Sequence, residues 1–313
     1  AYDPPKRRSP PRMYLLSVGV DDYRDAQIPK LATAVQSTRD FVSVVQRRSS
    51  PLYRVDAASL LNDRATKSSW RYLADDFVQS VKDGLTPDDL LVVYLSGHGV
   101  KTAEGDGYQF VTSNARYADV LSGKYAACLT LEDFTPFAEV ACRKLVILNT
   151  CHGGAIQPLI HRDLKAAVRK LQNDLLITIA ASGGNQEAVE GRFANRLLQA
   201  LEGADDDDGD GIISLNEMVA YVQRTVAADS DGEPVRQTPS AGPAELLRYA
   251  ALRLATTDRF NALGYVPSNA NQIGATTEDD RPNPTPSVED QRRLPIDVVV
   301  RAPPAKTSAW ERD

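Results

Sequence analysis

Two short apolar segments constrain the fold more than any other part of this chain. Residues 90–98 read LLVVYLSGH and residues 144–151 read KLVILNTC, so the segments end at His98 and Cys151. Uninterrupted runs of Leu, Val and Ile of this length are typical of buried strands in a parallel sheet. The carboxyl ends of such strands line the ligand crevice of an open α/β sheet, so we expect both side chains at one edge of the sheet.

A thiol beside an imidazole suits nucleophilic catalysis. A free cysteine has a pKa of about 8.5, so a neighbouring histidine that takes its proton raises its reactivity at neutral pH. Glycines at positions 97, 99, 153 and 154 would let a substrate backbone approach and let backbone N–H groups face a developing oxyanion. Taken singly, His98 or Cys151 also fits a structural place in core or loop. Their pairing, with glycines at both sites, favours catalysis.

These strand ends resemble a known family. SGHG at 96–99 and NTCHGG at 149–154 are similar to the two signature strand ends of the caspase and metacaspase class of cysteine peptidases. The resemblance extends to YLLSVGVDDY at 14–23, like the family's first strand, and to LATAVQSTRDFVSV at 31–44, like its first helix. It closes at QTP, residues 237–239, which is similar to the end of many bacterial members.

The resemblance implies an α/β fold of the caspase type, with a mostly parallel six-stranded sheet and helices on both faces. It implies that Cys151 is the nucleophile and His98 the acid–base partner, which protonates the leaving amine. By analogy with the family, the backbone N–H groups of Gly99 and Cys151 form the oxyanion hole. No third residue that orients His98 is identifiable in the sequence.

Substrate preference is also implied by the resemblance. Metacaspases that cleave after Arg or Lys usually carry Asp two residues before the cysteine, where this chain has Asn149. The stretch SGGNQEAVE, from Ser182 to Glu190, is similar to the segment in which the family supplies a second pocket acid, and Glu190 falls on that position. We therefore expect cleavage after Arg or Lys, since a desolvated carboxylate binds a guanidinium strongly. The alternative for Glu190 is a solvated helix cap.

A second motif, DDDGDGIISLNE at residues 206–217, fits the twelve-residue calcium loop of EF-hands, with Gly211 at its sixth position. The predicted Ca²⁺ ligands are Asp206, Asp208, Asp210, the Ile212 carbonyl, Ser214 and Glu217. The alternative is a solvated acidic loop at the start of a helix. Because the loop follows the pocket segment, a bound ion would order helix 193–201 and thereby the pocket. The sequence thus predicts calcium-assisted activity.

Composition narrows the partners. The net charge of -6 without a basic stripe argues against nucleic acid, so the expected partner is a protein or peptide substrate. No apolar run approaches the roughly 18 residues of a membrane span. Three cysteines are too few for a disulfide framework, which favours a reducing, cytoplasmic compartment. Oligomeric state is left open.

The predicted organisation has a flexible leader (1–12), a caspase-like peptidase domain (13–263) with the calcium loop inside it, and a Pro-rich linker or disordered tail (264–313) with one short strand at 296–300. Predicted strands are 13–20, 53–61, 90–95, 108–112, 144–149 and 175–181. Predicted helices are 32–47, 70–81, 131–140, 157–170, 193–201, 215–226 and 244–254. Basic residues between Cys151 and residue 175 predict self-cleavage at Arg162, Lys165, Arg169 or Lys170.

Two further hypotheses stay open. One is a catalytically silent caspase-like module that serves as a calcium-responsive interaction domain. Asn149, in place of the usual Asp, is consistent with this hypothesis, while intact His98 and Cys151 argue against it. The other is a calcium buffer with an incidental α/β domain. Labelling of Cys151 by a peptidyl electrophile separates both from a peptidase.

Overall fold

A computed structural model of the chain describes residues 10–81, 84–101, 108–151, 176–183, 186, 188–234, 236–242 and 252–262. Several predicted features lie outside these residues: the leader up to residue 9, helix 157–170 with its four basic residues, most of helix 244–254, and the tail with its strand.

The centre of the fold is a six-stranded sheet in the order β2-β1-β3-β6-β7-β9, in which β9 alone is antiparallel to its neighbour. The strands are β1 Arg12–Gly19, β2 Arg54–Leu61, β3 Leu90–Ser96, β4 Gly99–Lys101, β5 Tyr108–Phe110, β6 Arg143–Asn149, β7 Leu176–Ala180, β8 Ile212–Ser214, β9 Ser240–Gly242 and β10 Arg253–Thr256. β4 pairs with β5 and β8 with β10, each antiparallel. The predicted mostly parallel sheet is confirmed.

Helices cover both faces of this sheet. They are α1 Ala34–Ser49, α2 Lys67–Val81, α3 Tyr117–Leu121, α4 Arg192–Leu201, α5 Leu215–Asp229 and α6 Asp258–Ala262, with 3₁₀ segments Asn62–Arg64 and Leu131–Glu139. Alternate residues of β3 enter two separate cores, because successive strand side chains point to opposite faces. Leu91 and Val93 pack in the core of α2, whereas Leu90 and Val92 pack in the core of α1, α4 and α5.

Two predicted helices differ from the structure. The predicted helix 131–140 is instead a 3₁₀ helix over Leu131–Glu139, and it contains Pro136, which cannot donate the backbone hydrogen bond of a regular α-helix. Helix 244–254 was expected to include Arg253 and Leu254, but both lie in β10, where pairing with β8 overrides local propensity. Strand β9 was not predicted from the sequence. No helix in the described part of the chain is long and apolar enough to cross a bilayer.

Candidate active site

The ends of β3 and β6 meet at the carboxyl edge of the sheet. These strands are parallel neighbours, and their register pairs Ser96 with Asn149. His98 and Cys151 each follow two residues later, so the sheet delivers both to the same edge. The two segments that follow β3 and β6 stay in contact beyond the strands, because the Gly97 N–H donates to the Asn149 carbonyl at 3.4 Å.

Gly99 allows the closest approach between these two segments. A Cβ at this position would lie 2.5 Å from the Cys151 carbonyl oxygen and 2.6 Å from Cε2 of Tyr108. Behind it, the Tyr108 hydroxyl is hydrogen-bonded to Oγ1 of Thr150 at 2.6 Å, and both residues are buried. The backbone at Gly99 and Cys151 is therefore packed against a rigid, buried support.

Cys151 is the most accessible of the chain's three thiols. Cys128 and Cys142 are buried, and burial raises the pKa of each to about 11. Cys151 is partly exposed, and its sulfur contacts the backbone of Ala188: the Ala188 N–H donates to Sγ at 3.3 Å, and the thiol lies 3.6 Å from the Ala188 carbonyl. A backbone N–H at the sulfur is suited to stabilise a thiolate.

His98 is held at its ring and at both backbone groups. Its Nε2 lies 2.8 Å from the Pro29 carbonyl, which can only accept, so Nε2 carries the proton and Nδ1 is the basic nitrogen of the neutral ring. The backbone N–H donates to the Tyr23 hydroxyl at 3.0 Å, and the backbone carbonyl accepts from Val111 at 2.9 Å. The Pro29 carbonyl is the orienting group that sequence reasoning missed, since a backbone oxygen has no sequence signature.

The predicted pocket residues have structural partners. The Asn149 amide donates to Oγ of Ser96 at 2.9 Å and so ties the two strand ends together. Ser182 is fully buried, and its hydroxyl donates to the Gln186 carbonyl at 3.0 Å. This geometry favours a role of Ser182 in holding the pocket loop. Its predicted substrate contact stays a prediction.

Glu190 is exposed and caps a helix, although not the one it precedes. Its Oε1 accepts from the backbone N–H of Thr33 at 2.5 Å and from Oγ1 of Thr33 at 3.0 Å, at the N-terminus of α1. A carboxylate is favourable there because of the helix dipole. Burial is the main cause of the raised pKa of Tyr23, whose hydroxyl contacts His98, and the negative charge of Glu190 adds a smaller contribution. Capping through Oε1 is compatible with recognition through Oε2.

A buried glutamine anchors the segment that carries Ala188 and Glu190, and its structural role was not predicted. Gln237 is fully buried; its amide nitrogen donates to the Ala181 carbonyl at 2.9 Å, and its Oε1 accepts from Val189 at 3.0 Å. The QTP resemblance marked this position without indicating its contacts.

The predicted calcium loop forms a compact turn between α4 and α5. Carboxylate oxygens of Asp206, Asp208 and Asp210 lie within 4.8 Å of one another. Gly211 has φ +81°, and a Cβ there would meet the Phe260 backbone at 2.8 Å, which explains glycine at this turn. Ile212 lies in β8, where Thr256 of β10 is its partner.

Glu217 closes the loop on itself. Its Oε1 accepts from the Asp207 N–H at 3.1 Å and its Oε2 from the Ser214 N–H at 2.8 Å, while Oγ of Ser214 accepts from the Glu217 N–H. Ser214 and Glu217 therefore form a capping box for α5, which accounts for this pair without an ion. The three clustered aspartates are not explained by capping, and carboxylate and carbonyl oxygens are the donors that Ca²⁺ prefers.

Comparison with known proteins supports the interpretation of these strand ends. The caspase domain family matches residues 23–249, a span that includes both strand ends, the pocket segment and the acidic loop. No curated protein matches the sequence. Since this match covers most of the chain, and since the mostly parallel six-stranded sheet carries the cysteine and the histidine to one edge, the chain belongs to the caspase family of cysteine peptidases.

Proposed function

We propose that this chain is a cysteine endopeptidase with a Cys151–His98 dyad, that it cleaves after Arg or Lys, and that Ca²⁺ assists its activity. The observation that carries the proposal is the register of β3 and β6, which brings the imidazole and the partly exposed thiol to one edge.

In the proposed reaction, Nδ1 of His98 takes the proton of the Cys151 thiol, and the thiolate attacks the scissile carbonyl carbon while the carbonyl π electrons move to oxygen. The backbone N–H groups of Gly99 and Cys151 stabilise this oxyanion. As the tetrahedral species collapses, His98 protonates the leaving amine from Nδ1, because Nε2–H stays bonded to Pro29. Water then attacks the thioester with His98 as base, which releases the acid and restores the thiol.

The proposed preference for Arg or Lys rests on Glu190. The Glu190 carboxylate is negatively charged and lies next to Thr33. Asn149, the other predicted pocket residue, is neutral, and its amide is bonded to Ser96. Glu190→Gln keeps an oxygen acceptor for Thr33 and removes the charge. We expect about a 10–100-fold loss of kcat/KM for a peptide with Arg before the cleaved bond, which corresponds to the 1.5–3 kcal/mol of a charged hydrogen bond. Glu132→Gln, an exposed site elsewhere, is the matched control.

Contacts at both ends of α1 support calcium assistance. At its C-terminal end, Arg48 binds Glu202 at 2.8 Å and Asp258 at 2.5 Å. Glu202 follows α4 and Asp258 begins α6, so this cluster borders the acidic loop on both sides. At the other end, Glu190 caps α1 and is followed by the N-cap of α4. A calcium-ordered loop would therefore restrain α1 and α4, and through them the position of Glu190 at the proposed substrate pocket.

The residues that would hold Ca²⁺ are Asp206, Asp208, Asp210, the Ile212 carbonyl, Ser214 and Glu217. The ion would supply positive charge that relieves repulsion among the aspartates and fixes the loop. Turnover of an Arg peptide with chelator and with added Ca²⁺ tests this, with Asp208→Asn as the loop variant. Equal turnover in all three samples would refute regulation by calcium.

The proposed self-cleavage falls between Cys151 and Leu175. Mass spectrometry of wild type beside Cys151→Ala tests it, and an intact chain in both would contradict it. Covalent labelling of Cys151 by a peptidyl electrophile ending in Arg, lost in His98→Ala, distinguishes a peptidase from a silent interaction module.

A further inference from the structure

A tyrosine beside His98 has no role in the chemistry described above. Tyr23 is 5% exposed, and its hydroxyl accepts the His98 backbone N–H at 3.0 Å while it donates to the Val20 carbonyl at 3.3 Å. Its ring also packs against the imidazole, with centroids 5.2 Å apart and planes tilted by 31°. One side chain thus supports both the backbone and the ring of His98.

We propose that Tyr23 is a positioning residue for His98: its hydroxyl and its ring fix the imidazole in the orientation that directs Nδ1 towards the reacting groups. This inference rests on the catalytic role of His98 proposed above. Tyr23 does not reach the reacting atoms in this scheme and acts only through the histidine.

The loop that carries Tyr23 provides a second constraint on His98. Residues 20–33 join β1 to α1, and the same loop contributes the Pro29 carbonyl to Nε2 at 2.8 Å. Tyr23 therefore fixes the position of the His98 main chain, and the Pro29 carbonyl determines which ring nitrogen carries the proton. With Val111 at the carbonyl, rotation of the ring and movement of the main chain are both restricted.

This loop is itself anchored by a residue in an uncommon conformation. Asn62 has φ +45°, and among the residues that the structure describes it is the one non-glycine with a positive φ. Its Oδ1 accepts from the backbone N–H groups of Asp21 and Asp22 at 3.0 and 3.1 Å. Backbone conformations of this kind persist where the surroundings hold them, often near functional sites. Asn62 thus holds the start of the segment that delivers Tyr23.

The hydroxyl keeps its proton under assay conditions. Burial raises the pKa of Tyr23 well above its usual value near 10. The phenol therefore remains both a donor to Val20 and an acceptor from His98, so its hydrogen bonds to His98 and Val20 do not change with pH in the assay range.

The test removes the hydroxyl and keeps the ring. Tyr23→Phe is compared with Tyr53→Phe. Tyr53 lies just before β2, has the same exposure as Tyr23, and would lose a hydroxyl bond to the Arg253 carbonyl, so it is a matched control. With an Arg peptide and saturating Ca²⁺, we expect Tyr23→Phe to lower kcat about tenfold with KM within twofold, a part of the about 10²–10⁴-fold supplied by acid–base catalysis. Tyr53→Phe should retain wild-type kcat. Asn62→Gly, which accepts the same φ but lacks the amide, should shift kcat in the same direction as Tyr23→Phe.

A double variant separates positioning from general support of the fold. If Tyr23 acts through His98, Tyr23→Phe costs nothing further in a His98→Ala background. An equal tenfold loss in that background, or an unchanged kcat in Tyr23→Phe alone, overturns the proposal.

A readout without turnover covers the case in which the peptidase assignment itself fails. In Cys151→Ala protein, ¹⁵N NMR of the imidazole, assigned with His98→Ala, should show the Nε2–H form, with Nε2–H exchange at least about tenfold faster after Tyr23→Phe. Unchanged exchange overturns the role of Tyr23. Absent turnover of any peptide by wild type, together with Cys151 alkylation that His98→Ala does not alter, overturns the peptidase instead.

Discussion

Replacement of Gly99 by alanine is a direct test of the proposed oxyanion hole. The new methyl carbon would lie 2.5 Å from the Cys151 carbonyl oxygen, about 0.9 Å closer than the 3.4 Å at which ordinary contacts begin. Movement away from Cys151 brings no relief, because the same carbon lies 2.6 Å from the ring of Tyr108. Tyr108 is buried and bonded to Thr150, so it has little freedom to yield.

The magnitude follows from this geometry. Gly99 and Cys151 must separate by roughly 1 Å, and these are the residues whose N–H groups are proposed to bind the oxyanion. Loss of one such donor costs about 10²–10³-fold in kcat, and a misplacement of about 1 Å costs about 10²-fold. We therefore expect kcat/KM for an Arg peptide to fall at least about 100-fold, and overpacking to lower the free energy of unfolding by about 1–3 kcal/mol.

The assay compares Gly99→Ala with Gly84→Ala, because a Cβ on Gly84 would meet no atom within 4 Å. Peptide turnover is measured at a temperature at which urea denaturation shows both variants to be folded. Gly84→Ala should match wild type. If folded Gly99→Ala retains more than about a third of the wild-type kcat/KM, the backbone of Gly99 does not stabilise the oxyanion and the reasoning is wrong.

Three further predictions concern reactivity and stability. Iodoacetamide at pH 8 should modify Cys151 in the native protein and spare Cys128 and Cys142, since a pKa of about 11 leaves about 0.1% of each as thiolate and burial blocks access; native-state labelling of all three, by mass spectrometry, would contradict this. Asp133→Asn should lower the free energy of unfolding in urea by about 2–3 kcal/mol, because the buried carboxylate binds Lys67 and Arg71. This loss is smaller than for a fully buried ion pair because Arg71 is half exposed. A loss under about 0.5 kcal/mol would contradict the prediction. The hydrogen bond from Arg196 lowers the pKa of Asp229 below 3.8, so Arg196→Gln should lower the melting temperature near pH 6. The difference in melting temperature from wild type should shrink as the pH falls from about 4 through the pKa of Asp229 in the folded protein. A difference that persists at about pH 2 would show that this ion pair is not the cause.

The sequence predicted the parts of the fold that follow hydrophobic pattern. The runs ending at His98 and Cys151 were predicted as buried strands of a parallel sheet whose ends lie at one edge, and β3 and β6 are such strands; that they are direct neighbours came from the structure. Contacts made by backbone atoms were not predictable in the same way. The Pro29 carbonyl lies 69 residues from His98 in the chain, and any residue would offer that oxygen.

Segments stabilised by partners distant in sequence were also missed. Residues 253–256 carry no strong strand pattern and become β10 because they pair with β8, which lies within the acidic loop. Gln237 had no predicted role because its contacts, to Ala181 and Val189, depend on the folded path of the pocket loop. Local pattern therefore located the candidate catalytic edge, and tertiary pairing determined how that edge is supported.

The pairing of β6 with β7 bears on how a cut between them would appear in experiments. These strands share five register pairs, and β7 also pairs with β9 on its other side. A protein severed in residues 152–175 would keep its two pieces bound through the middle of one sheet. Such a nicked protein should migrate as two bands under denaturing conditions and still elute as a single particle of unchanged size.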